Sequence, residues 1–278
     1  MPLSARRSAP AILLVSIGLL AGLSAQEPAL TVDQMTAFLL NAKVVRSGGT
    51  PKGITAPYRL TLTDGTLTHD AVFQAVDQKA PRREFADGGV EFNFVDSYRY
   101  DIAAYELATL LGLGDMMPVT VERVWSGKPG ALSWYLPAAM DEQTRLQKKI
   151  DPPDVLAWNR QMFKKRIFAE LVYDTDPNLT NVLISADWHL WMIDFTRAFR
   201  LSKNLRLKVN IEQSMCSKNL LDRLRALARP DLERAAGKHL TGYEMDAVMA
   251  RRDKIVALFD AMIARKGEAG VLFSDKRP

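Results

Sequence analysis

The chain has 278 residues, 47% of them apolar, with 16 glycines and 14 prolines, enough to bury a substantial core in one two-lobed unit or two small domains and too apolar for a disordered chain. Its 37 basic and 32 acidic residues leave a formal charge of +5 with no dense Lys/Arg block, so no nucleic-acid partner is expected. The single cysteine, Cys216, excludes an internal disulfide, and three scattered histidines (His69, His189, His239) support neither a zinc site nor a Ser-His-Asp triad.

At the N-terminus, Arg6 and Arg7 precede an apolar run from Ala11 to Leu23 and the small pair Ser24-Ala25, the layout of a cleaved secretory signal over residues 1–25. The run is short for a bilayer crossing, which needs about 20 residues, although an uncleaved anchor is the alternative. The expectation is an exported chain, periplasmic or secreted, with no stable membrane span after cleavage. Two arginines leave with the signal and no acid does, so the mature surface is close to balanced.

Strands are expected at residues 42–46 (AKVVR), 57–63 (PYRLTLT) and 68–76 (THDAVFQAV), joined as an antiparallel meander by the loop SGGTPKGIT and an Asp64-Gly65 turn. In SYRYDIAAYELATLLGLG, Ala103, Leu107, Leu110 and Leu111 share one stripe and glycines close the end, which predicts a helix. PVTVERVW and ALSWYL read as two more strands. After Pro137 the pattern turns helical. Leu156, Phe163, Ile167 and Leu171 recur at helical spacing in one long helix, and shorter helices follow over LLDRLRALA and PDLERAAGKHL. A final long helix is opened by the capping-box spacing Thr241 to Glu244, with Met245, Val248, Met249, Ile255, Phe259, Met262 and Ile263 on its buried face.

Between these helices lies YDTDPNLTNVLISADWHLWMIDFTR, residues 173–197. Residues 182–184 and 190–193 read as antiparallel strands around Ala186-Asp187-Trp188, with Asn181 entering and Asp194 leaving. Such partners bring the two side chains together about 5 Å apart, where an amide oxygen and a carboxylate can share one hard cation of the magnesium kind. Asp176, in the loop leaving the long helix, is near enough to reach what the metal holds.

A helix, Asp-x4-Asn, a hairpin and then Asp-Phe: this order resembles the protein-kinase-like superfamily. The wording DTDPNLTN with IDFTRAF is similar to its atypical branches, the HipA-like, phosphatidylinositol-kinase-like and secretory-pathway casein-kinase-like groups. The resemblance implies an α+β, two-lobed kinase-like fold, with a small antiparallel-sheet lobe plus one helix over residues 26–137 and a mainly helical lobe over 138–278. It also implies ATP and Mg2+ as cofactors. Asp176 would be the catalytic base toward a hydroxyl-bearing acceptor, and Asn181 and Asp194 the metal ligands. Gly48, Gly49 and Lys52 would face the phosphates through the first loop, although that loop lacks a full G-x-G-x-x-G. Asp101 would be the small-lobe acidic partner in preference to Glu106, which lies about 140° around the helix axis.

Two departures qualify the resemblance. Gln74 stands in HDAVFQAVD where a kinase offers lysine, removing a positive charge from the phosphate site, with Lys52 or Arg59 as candidate substitutes. Pro177 follows Asp176 directly. The expected function is therefore an exported phosphotransferase moving a nucleotide γ-phosphoryl group. The alternative is a catalytically inactive kinase-like protein of the cell envelope that binds a nucleotide or a partner, favoured by Gln74 and by an ATP-poor compartment. A plain α+β module binding envelope partners through its basic C-terminal helices is a third reading.

Overall fold

The computed structural model describes residues 30–49, 57–85, 88–206 and 211–275, the Glu212 side chain excepted. The expected signal and Lys52 lie outside these residues. Helix α1 (Val32–Asn41) opens on a capping box formed by Thr31 and Gln34 and buries only Phe38 and Leu39, a stripe too narrow to stand out in the sequence.

Strands β1 (Lys43–Gly49), β2 (Tyr58–Thr63) and β3 (Thr68–Gln74) form the expected antiparallel meander. Alternation in β2 and β3 buries Leu60, Leu62, Ala71 and Phe73 on one face, each worth about 1–3 kcal/mol of apolar transfer. One expectation is corrected here. Gly48 and Gly49 belong to the β1 ladder, opposite Arg59 and Tyr58, and not to a loop. Both positions are sterically open, so edge pairing continues through them.

The chain then forms a separate hairpin, β4 (Asp77–Glu84) with β5 (Val90–Ser97), before helix α2 (Tyr98–Leu110). This hairpin was not expected. Most of β4 faces solvent, so DQKAPRRE shows no apolar alternation and carries a proline inside the strand. Strands β6 (Thr120–Trp125) and β7 (Lys128–Trp134) complete an antiparallel sheet of order β1-β2-β3-β7-β6.

The second half begins with β8 (Met140–Asp141) and α3 (Glu142–Gln147), then the long α4 (Val155–Leu171). Ile167 and Leu171 are buried as expected. Leu156 is 57% exposed because the first turn of α4 overhangs the core, as Val155 beside it also shows. Strands β9 (Val182–Ile184) and β10 (Leu190–Met192) pair antiparallel and join β8 in a three-stranded sheet. Helices α5 (Lys218–Ala226), α6 (Arg229–Ala236) and α7 (Gly242–Lys266) pack beneath. Helix α7 has the expected capping box and buries Met245, Val248, Ile255, Phe259 and Met262, with Met249 and Ile263 partly buried against the core. Cys216 is buried, and desolvation pushes its thiol up to about 12, which makes it inert at neutral pH.

Candidate functional site

The β9–β10 register is Leu190↔Ile184, Trp191↔Leu183 and Met192↔Val182. The ladder runs one step further, since Ile193 N donates to Asn181 O at 3.1 Å. Asn181 therefore stands opposite Ile193, and Asp194 follows one residue beyond, a shift of one from direct opposition. At Asp194 the backbone turns into the left-handed region, with φ of 60°. Aspartate tolerates this better than most residues, and such strain clusters at functional positions.

The loop bearing Asp176 is fixed by its neighbours. Asp174 Oδ1 accepts the Asp176 N–H at 3.0 Å, and Asn178 Oδ1 accepts Thr180 N–H at 3.1 Å to start the short turn Leu179–Asn181. Thr175 donates both its N–H (3.3 Å) and its hydroxyl (2.8 Å) to Arg197 O, and Phe199 N–H donates to Val172 O at 2.6 Å. Three hydrogen bonds thus stitch the segment around Asp176 to the segment after Asp194. From α2, Asp101 Oδ1 accepts the Phe195 N–H at 2.6 Å, placing this helix carboxylate against the Asp-Phe pair. Glu106 makes no such contact, and its carboxyl is pushed up by burial.

Carboxylates crowd this point. Asp194 is open to solvent at one side but otherwise enclosed by protein, and desolvation raises its pKa. Asp96, Asp176 and Asp174 add to the rise, against a 3.0 Å hydrogen bond from Thr196 Oγ1. Asp101 is raised well above the ordinary carboxylate range, by burial first and by Asp194 next. Asp174 and Asp96 are raised by burial as well. Desolvation is the largest cause in all four, while Arg197, Arg83 and Arg200 pull Asp96 the other way and Lys165 and Arg206 do so for Asp174.

Asp96 and Glu91, both from the unexpected hairpin, are site residues that the sequence reading missed. Glu91 binds Arg197 and Arg200 together, and Arg197 Nη1 also stands 3.7 Å from Asp176 Oδ2. The Arg197 guanidinium lies over the rings of Phe85 and Phe94. No motif spacing marks these residues, because their place depends on a strand pair with no apolar period.

On the sheet side, Gln74 is paired with Ala131 of β7, and its Oε1 accepts the Val76 N–H at 3.2 Å. The backbone packs tightly here, where a Cβ at Gly130 would fall 2.5 Å from Gln74 O. Arg59 does not stand in for the missing lysine. Its Nε donates to Asp70 at 2.7 Å and its guanidinium covers the Tyr135 ring at 4.0 Å. A cavity of about 230 Å³ at the turn end of the β9–β10 hairpin is bordered by Arg160, Lys164, Trp188 and His189. Its lysine is bound to Asp275 at 2.5 Å and His189 to Asp115 O at 2.7 Å, and it lies at the opposite end of the hairpin from Asn181 and Asp194.

Among the described residues no three His, Cys, Asp or Glu side chains form a complete metal centre. Hard oxygen donors are nonetheless present at Asp194 and Asn181, and the mutually raised carboxyls fit a divalent cation whose remaining ligands are water or phosphate oxygens.

No family model and no curated protein matches the sequence. Solved structures do match in fold. A hydra Fam20 solved with sugar superposes with a TM-score of 0.66 at 14% identity, over 88% of this chain and 93% of that one. The Helicobacter pylori proinflammatory kinase CtkA superposes with a TM-score of 0.50 at 8% identity, over 82% and 98%. The chain shares with these two structures a fold in which an antiparallel-sheet region comes first and a mainly helical region second.

Proposed function

We propose that this kinase-like chain is an exported phosphotransferase that moves the γ-phosphoryl group of ATP to a hydroxyl-bearing acceptor, its lobes dividing between residues 137 and 138. The observation that carries the reading is the stitching of the Asp176 loop to the Asp194 segment beside Asn181, inside a fold shared with kinases. Asp176 serves as the base. Its side chain is half exposed, its backbone is oriented by Asp174, and Arg197 stands beside it. Asn181 and Asp194 hold Mg2+, which when bound offsets the charge of the transferring phosphoryl group. Asp101 fixes the Phe195 backbone and so the start of the segment that Asp194 leads. Gly48 and Gly49 face the nucleotide from the first strand, Lys52 is a further candidate for the phosphates, and Gln74 supplies an amide where lysine would supply charge. Because the hydra protein was solved with sugar, a glycan hydroxyl is the first acceptor to try.

Incorporation of labelled γ-phosphate by the wild type, compared with Asp176→Ala, tests this; equal signal from both rules the mechanism out. Gln74 favours a second reading, a kinase-shaped protein that binds nucleotide without transfer. Mg-ATP at a hundredfold over its Kd stabilises a folded binder by about 2.7 kcal/mol. A raised melting point with no turnover selects the second reading, and no shift argues against both.

A further inference from the structure

Asp96 closes β5 directly before α2, on the hairpin inserted between β3 and that helix. It is 8% exposed, and its Oδ1 has neither a donor nor contact with solvent. The cations whose charge acts on it are Arg197, Arg83 and Arg200, yet Arg197 and Arg200 each give a terminal nitrogen to Glu91 and none bonds that oxygen. Thr196 lies between Asp96 and Asp194. Its hydroxyl donates to Asp194 Oδ1 at 3.0 Å and also reaches Asp96, and its carbonyl accepts the Ser97 N–H at 2.9 Å. The hairpin end and the Asp-Phe-Thr segment are thereby locked side by side, and the two carboxylates flank one residue.

An ionised carboxylate held away from water without a partner is among the least favourable things a folded chain can keep. Burial and hydrogen bonding account for Asp174, whose carboxylate accepts a backbone N–H, and for Asp101, which holds Phe195 N–H. Nothing of that kind accounts for Asp96 Oδ1. We propose that Asp96 is a ligand, together with Asp194, of a divalent cation at the floor of the cleft, so that the inserted hairpin adds a carboxylate to the metal site. The rest of the shell is then amide, water or phosphate oxygen, as suits a magnesium-type ion. The proposal rests on the reading of Asp194 as a cation ligand, and the variants below separate the two.

The test uses Mn2+ alone, followed by loss of the free-ion paramagnetic signal, on the wild type, Asp96→Asn, Asp194→Asn and Asp187→Asn, the last at the far turn of the β9–β10 hairpin. Melting points are read in parallel with Mn2+ and with EDTA. Wild type is expected to bind Mn2+ and melt higher with it. Asp96→Asn should lose more than about tenfold in affinity, and Asp187→Asn nothing. In EDTA, Asp96→Asn should melt no lower than wild type, since the buried charge on an oxygen without a donor is gone. Unchanged Mn2+ affinity in Asp96→Asn overturns the proposal. So does an Asp96→Asn chain that fails to fold in EDTA, because the carboxylate would then be structural. Absence of binding by the wild type, with Mn2+ alone or with Mn-ADP, overturns it too. Loss in Asp194→Asn without loss in Asp96→Asn rejects this proposal and leaves the parent reading standing, whereas no loss in Asp194→Asn rejects the parent.

Discussion

Replacing Arg251 by methionine should destabilise the fold more than any exposed substitution. Arg251 sits on α7 with no exposed surface, and burial pushes its guanidinium down to about 10. Its Nε donates to Leu171 O at 2.7 Å, and its Nη1 donates to Arg200 O at 2.9 Å and to Ser202 O. These carbonyls belong to the end of α4, just ahead of the Asp176 loop, and to the segment following Asp194. Methionine matches the aliphatic stem and leaves three carbonyls without their donor. A buried group left unpaired costs about 1–3 kcal/mol, and the relief of burying no charge offsets part of the sum. The expected net loss is about 3–5 kcal/mol, a large fraction of the roughly 5–15 kcal/mol that holds a typical domain folded. Urea unfolding read by tryptophan fluorescence should show the midpoint falling by roughly 1.5–2 M. Arg251→Lys, which keeps the charge but not the fork, should fall between. A methionine variant whose midpoint stays within about 0.3 M of wild type would refute the assignment of these bonds as the tie between the two segments.

Asp176→Ala should lower phosphoryl transfer by about 10²–10⁴-fold, the range for a lost general base, with little change in melting point because the side chain is half exposed. Gly130→Ala would place a Cβ 2.5 Å from Gln74 O and 2.6 Å from the Phe73 ring, so overpacking should cost about 1–3 kcal/mol and lower the melting point by several degrees. Burial holds the His69 pKa below its ordinary 6.5, against the opposing pull of the Tyr135 carbonyl and Asp70. The unfolded chain therefore takes up this proton first, and the stability His69 contributes above pH 6.5 is lost as pH falls toward its folded value. His69→Gln should reduce the pH dependence of the melting point between pH 7.5 and 5, leaving the contribution of His239, whose pKa burial also lowers. Glu91→Gln should raise hydrogen exchange in the β4–β5 hairpin by weakening its hold on Arg197 and Arg200, and unchanged exchange would count against the clamp.

What the sequence shows and what it hides divide along physical lines. Strands β2 and β3, the β9–β10 hairpin and α7 bury one face, so their apolar residues repeat at the period of the element, whereas α2 and the end of α4 are apolar enough to be buried on several sides. The candidates Asn181 and Asp194 are picked out by the hairpin they flank, and Asp176, in the irregular segment after α4, only by its spacing to Asn181. The β4–β5 hairpin is illegible because its strands are largely exposed, and with it went Glu91 and Asp96, whose significance lies in contacts to residues about a hundred positions away. The register at Asn181 is a smaller case. The strand pattern fixes which residues pair but not that the ladder continues one step through Ile193, so it could not foresee the offset at Asp194. Arg59 reads as a free cation only until Asp70 and Tyr135 close around it.

The missing lysine and the added hairpin bear on one question, how Asp194 keeps its place. In a kinase a lysine on the third strand pairs with an acid on the small-lobe helix, and that pair reports the helix position. Here Asp101 reaches past the sheet and takes the Phe195 N–H itself, Ser97 donates to Thr196 O, and Glu91 grips Arg197 and Arg200. Tyr100, one residue before Asp101, also donates its hydroxyl to Glu244 at the start of α7, tying the same helix to the helical lobe. Backbone hydrogen bonds and a partly buried ion cluster therefore tie α2 and the hairpin before it to the Asp194 segment. On the proposed phosphotransferase reading, Gln74 brings no positive charge to a phosphate, and a divalent ion held at Asp194 would supply charge there.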